Sequence, residues 1–118
     1  MELAIDMFNH VMVGATDIDA SKRFYDAALG ALGVAPGSKD SADRCSFRTA
    51  TGVFMIKLPI DGEPATAGNG STVGFTAQDS SQVEAWHAAG LANGGTTCED
   101  PPGVRDRGTL KVYLAYMR

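Results

Sequence analysis

Two cysteines in 118 residues, Cys45 and Cys98, stand far apart with no C-x-x-C spacing. That arrangement excludes a zinc ribbon and a thioredoxin-like redox pair, and two buried free thiols are expected instead. Long apolar runs are also lacking. No stretch reaches the length of a bilayer span, and the opening Met1 to Asp6 carries no basic leader region, which points to a soluble, cytoplasmic protein with no membrane partner. Basic blocks are missing too. Ten Lys and Arg are scattered among fourteen Asp and Glu, for a net charge of -4, so no polyanionic surface and no nucleic acid is an expected partner. The chain shows no Ser-His-Asp or Cys-His order and no Gly-rich phosphate loop after a strand.

What is present is ordinary globular composition: 44% apolar and 20% charged residues, in a length suited to one domain that buries its own core. A β-rich run from Phe8 to Gly14 gives way to a helical period, with Ile18, Ser21, Tyr25, Leu29 and Leu32 on one face. Asp17 is placed to cap that helix and Gly33 to end it. The order returns later. Thr72 to Ala77 reads as a strand, Asp79 as a cap, and Val83, Trp86, His87 and Leu91 as a second helix before Gly94 and Gly95. Asp79 lies 62 positions after Asp17, and the same offset carries Phe24 to Trp86, Ala27 to Ala89, Leu29 to Leu91 and Gly33 to Gly95. Such matches indicate a duplicated unit.

After the first helix the pattern predicts an extended piece at Val34 to Pro36, a strand near Arg44 to Thr49, a turn at Thr51 and Gly52, and a strand from Val53 to Leu58. After the second it predicts strands at Thr96 to Glu99 and Thr109 to Met117, joined by a loop at Pro101, Pro102 and Gly103. The Pro- and Gly-rich stretch 59–70 reads as a linker between module 1, about 8–58, and module 2, about 71–118, within a single domain.

Tandem β-α-β-β-β modules, a histidine in the first strand, and the string His10 to Asp17 followed by Ser21 to Tyr25 resemble the glyoxalase/bleomycin resistance protein/dioxygenase superfamily, the vicinal oxygen chelate fold. The resemblance runs from about Phe8 to Tyr116. It implies an α+β fold in which the two modules curl into a curved open barrel around a cleft for a small molecule, often with a divalent metal. Members that use metal supply one ligand from the first strand of each module and one carboxylate from the last. His10 matches the first position. Thr72 and Lys57 fall on the next two, where a hydroxyl is a poor donor and an ammonium repels a cation. Family chains continue into an Asp-Pro-x-Gly-Asn turn and a final strand ending in Glu, whereas this sequence stops at Arg118, so the final strand is expected to be missing.

Period-2 alternation puts His10, Met12 and Gly14 on one strand face, and Val53, Met55 and Lys57 on another. The pocket is accordingly expected to be lined by His10, Met12, Met55 and Lys57 on one side, with Thr72 and Gly74 opposite. Tyr113 joins them, with Tyr116 on the other face of its strand as the alternative. Arg105 and Arg107, in the loop after Gly103, are weighed as contacts for an anionic group at the mouth. These features predict a small-molecule-binding protein with a degenerate or absent metal site, working as a homodimer on an organic ligand with apolar surface and one anionic group. No cofactor is expected. Two alternatives stay open: a lyase, isomerase or dioxygenase using His10 as a metal ligand or base, and a structural domain whose cleft has collapsed.

Overall fold

In the computed structural model, residues 7–118 are described, so the leader reading at Met1 to Asp6 lies outside them. The first half forms β1 (His10–Gly14), α1 (Ile18–Gly30), β2 (Ser38–Ser41), β3 (Arg44–Thr49) and β4 (Gly52–Lys57). Their sheet has the order β1-β4-β3-β2, with β1 parallel to β4 and the other pairs antiparallel. Asp17 caps α1 as expected, its Oδ1 accepting from Ala20 N at 3.0 Å and satisfying an amide that the helix leaves open. The helix ends by bonding Val34 N to Leu29 O, a turn that passes through Gly33 at φ 93, a conformation glycine adopts without a Cβ penalty.

Alternation decides which side of this sheet is core. Val11 and Val13 of β1, Phe54 and Ile56 of β4, and Cys45 and Phe47 of β3 all face α1, where they meet Ile18, Tyr25 and Leu29. Ile56, Cys45 and Leu29 are the largest fully buried side chains, and Tyr25 links Phe47 and Phe54 with ring centroids 6.0 and 4.9 Å away. Burial raises the Tyr25 hydroxyl and Cys45 thiol pKa values, because the ionised forms would lose their hydration there; at Cys45 this outweighs the opposing pull of Lys22.

The second half contains α2 (Ser80–Ala92), β5 (Thr97–Asp106) and β6 (Lys111–Met117). Asp79 caps α2 through Gln82 N at 2.9 Å, repeating the device at Asp17. The two helices pack together through Phe24, whose ring comes so close to Gly95 that a Cβ there would sit 2.5 Å from it and 2.8 Å from Gly90 O. Only glycine permits that approach.

Three expectations need correction. Thr72 to Ala77 is extended but is no strand, and the second half has one two-stranded sheet, β5-β6. A strand exists by pairing, and no described strand lies against that segment as β4 lies against β1. The architecture is therefore α+β, with two helices, one four-stranded mixed sheet and one two-stranded antiparallel sheet, and it is not a closed barrel. The extended piece predicted at 34–36 falls instead at Ser38–Ser41. Finally, Pro101, Pro102 and Gly103 lie within β5, at an irregularity between Cys98 and Gly103; proline is tolerated because the strand has a free edge and a bulge there.

Candidate functional site

The face of the first sheet turned away from α1 is built in rows by the register. His10 pairs with Val53, which pairs with Arg48; Met12 with Met55 and Ser46; Gly14 with Lys57 and Arg44. Laterally paired residues point the same way, so this face carries one histidine, three cations and two methionines. Among them the charges are mostly neutralised. Lys57 Nζ lies 3.3 Å from Asp43 Oδ2 and donates to Leu58 O at 3.2 Å, and Arg44 meets Asp40 at 3.1 Å. The carboxyls of Asp40 and Asp43 are held below the usual range, Asp40 chiefly by Arg44 and Asp43 by Ser41 and then Lys57. Ser46 Oγ is buried without a hydrogen-bond partner.

At the end of the sheet where β1 and β4 both begin, a cavity of about 200 Å³ opens. Its inner wall is Val11, Leu29, Val34, Phe47 and Phe54, and its outer wall is Val73, Gly74 and Phe75. Phe75 stands edge-on to Phe54 with centroids 5.1 Å apart. Asn9, His10, Thr49 and Thr51 supply the polar rim. His10 is exposed, and its Nδ1 lies 2.8 Å from Asn9 Oδ1; the tautomer that donates from Nδ1 leaves the Nε2 lone pair free. A second, more open cavity of about 390 Å³ shares Phe8, Asn9, Thr49, Thr51, Gly52 and Val53 with the first and adds Arg48.

Of the residues predicted for the pocket, His10 and Gly74 are brought together in the first cavity. Met12, Met55 and Lys57 lie further along the open face, and Thr72 is exposed beside the cavity's outer wall. Tyr113 turns the other way: its hydroxyl donates to Glu84 Oε1 of α2 at 3.2 Å, so alternation leaves Tyr116 on the side away from the helix. Arg105 is in β5 rather than a loop, and its guanidinium donates to the carbonyls of Asp100, Pro101 and Gly103 at 2.9 to 3.2 Å. It holds the bulge. The phenylalanine wall, Asn9 and Arg48 were outside the sequence-based set.

A divalent metal fits poorly. Among the described residues no three His, Cys, Asp or Glu side chains converge in a way that could hold an ion. The donors nearest His10 in its row are an aliphatic Val53 and a cationic Arg48, neither of which is a ligand.

Comparison with known proteins agrees with the fold. The sequence profile of the glyoxalase/bleomycin resistance protein/dioxygenase superfamily matches residues 7–114, and the chain belongs to that superfamily. A crystal structure of a glyoxalase/bleomycin resistance protein from Albidiferax ferrireducens T118 is 58% identical, with a TM-score of 0.91 over 95% of this chain and 90% of that one. A glyoxalase-related enzyme from Fulvimarina pelagi shares the fold at 20% identity and TM-score 0.62, covering 83% and 73% of the two chains. Lactoylglutathione lyase from Agrobacterium tumefaciens does so at 18% and 0.54, covering 81% and 76%. No curated protein matches the sequence. Among the described residues no helix is long and apolar enough to cross a membrane.

Proposed function

We propose that the protein binds a small organic molecule, held non-covalently and without a resident metal, in the cavity beside His10. The observation that carries this reading is the cavity itself: an aromatic and aliphatic wall with a few polar groups at one rim, the usual composition of a small-molecule site. Its size sets the ligand. An apolar cavity of about 150 Å³ accepts a benzene ring, so about 200 Å³ takes one or two fused rings. The polar end of the ligand then meets Asn9, His10 and the two threonines. Titration calorimetry with 2-naphthamide tests this, with saturable one-to-one binding at a dissociation constant of about 0.1–1 mM expected for a ligand of this size. Absence of saturation up to the solubility limit contradicts it.

A second reading, enzymatic, is favoured by one feature. With Nδ1 against Asn9, Nε2 is the ring nitrogen of His10 left to ligate a metal at the cavity rim, or to take a proton from a ligand there. Elemental analysis of the protein beside His10→Ala separates the readings: near-stoichiometric metal lost in the variant would point to a metal-dependent lyase, isomerase or dioxygenase. We further propose a homodimer in the cytoplasm, a reading supported by an edge of β6 that is unpaired among the described residues and by two free thiols suited to a reducing compartment.

A further inference from the structure

We infer that the ligand class is an aryl carboxylate, its ring in the cavity beside His10 and its carboxylate on the guanidinium of Arg48. This rests on the cavity being the ligand site, and it adds what lies outside the cavity's mouth. The two cavities adjoin at the end of the sheet, where both are lined by Phe8, Asn9, Thr49, Thr51, Gly52 and Val53. One is walled by phenylalanine and aliphatic side chains, and the other is more polar and reaches Arg48. A molecule spanning both is apolar at one end and polar at the other.

The sign of the polar end follows from the charges on this face. Lys57 already has Asp43 and a carbonyl, and Arg44 has Asp40. Arg48, in the row of Val53 and His10, forms no ion pair among the described residues. It bears on Asp40 only as a minor influence behind Arg44. Neighbouring strands lie about 4.8 Å apart, so Arg48 and His10 flank Val53 on the face turned away from α1, while the phenylalanine wall is on the α1 side; a ligand reaches from one to the other only around the sheet's end, at the Thr49–Gly52 turn that borders both cavities. Arginine's planar fork donates to both oxygens of a carboxylate at once. The hydroxyls of Thr49 and Thr51, 3.2 Å apart and bonded to each other, keep the same rim polar. His10 already has Asn9 Oδ1 at its Nδ1, and Arg48 is the cation on this rim without an ion-pair partner among the described residues, which makes Arg48 the anchor.

Calorimetry with 2-naphthoate and the near-isosteric neutral 2-naphthamide tests the charge separately from the ring. The expected result is at least tenfold tighter binding of the naphthoate, a preference that shrinks with added salt. Arg48→Gln should abolish the preference while leaving naphthamide affinity unchanged, and Arg44→Gln should leave the preference in place. Equal affinity for the two probes, or a preference that survives in Arg48→Gln, overturns the aryl carboxylate assignment while the cavity reading stands. No binding of either probe overturns both.

Discussion

Adjacent residues of β4 should respond very differently to the same truncation. Ile56 is fully buried, paired with Val13 and Cys45 and facing Leu29 and Phe47. Met55, next to it, belongs to the open face and is only half-buried. Truncating a buried isoleucine to alanine costs about 2–5 kcal/mol. Ile56 sits in the sheet's interior with strands on both sides, so the site has little freedom to collapse, and a cost near about 4 kcal/mol is expected. Met55→Ala loses part of its contact to one side only and should cost about 1 kcal/mol. With a urea dependence of about 1.5 kcal/mol per molar, the midpoint moves by about 2.5 M for Ile56→Ala and by less than about 1 M for Met55→Ala. Ile56→Val, at about 1 kcal/mol, keeps the comparison available should the alanine variant be too unstable to purify. Equal losses at 55 and 56 would mean that the face turned away from α1 is covered as well, and the assignment of the two sheet faces would fail.

The carboxyls of Asp19, Asp40 and Asp43 are all depressed, through Lys39, Arg44 and Ser41 with Lys57 respectively. A depressed carboxyl adds stability above its ordinary value near 3.8, and that stability is lost as pH falls through the lower folded value. Urea midpoints should therefore drop between pH 5 and about pH 2, less steeply in Asp40→Asn with Asp43→Asn; an unchanged slope in that double variant would refute the pairing. The homodimer is checked by light scattering, where a dimer mass is expected and a monomer mass at high micromolar concentration rules it out.

Both helices and three strands of the first sheet, β1, β3 and β4, were legible because their signals are local. Asp17 and Asp79 mark helix starts by their own side chains, and the alternation in β1 assigns His10 and Val11 to opposite faces without any knowledge of the partner strand. Thr72 to Ala77 carries the same alternation and is not a strand, since pairing depends on a neighbour that no local pattern reveals. Arg48 escaped notice for a related reason. Its place on the open face follows from alternation with Ser46 and Arg44, yet its place in His10's row follows only from the β3-β4-β1 register. Tyr113 was undecidable until Glu84 on α2 showed which side of β6 meets the helix. Phe47, Phe54 and Phe75 carry no local signal that sets them apart, and they become a cavity wall only where the sheet ends and packing is incomplete.

The most direct test of the ligand site is an amide NMR titration with 2-naphthamide. The account predicts that shift changes gather at Phe8 to Val11, Thr49 to Phe54 and Val73 to Phe75. Changes confined to α2, β5 and β6, or no saturable change at all, would contradict it.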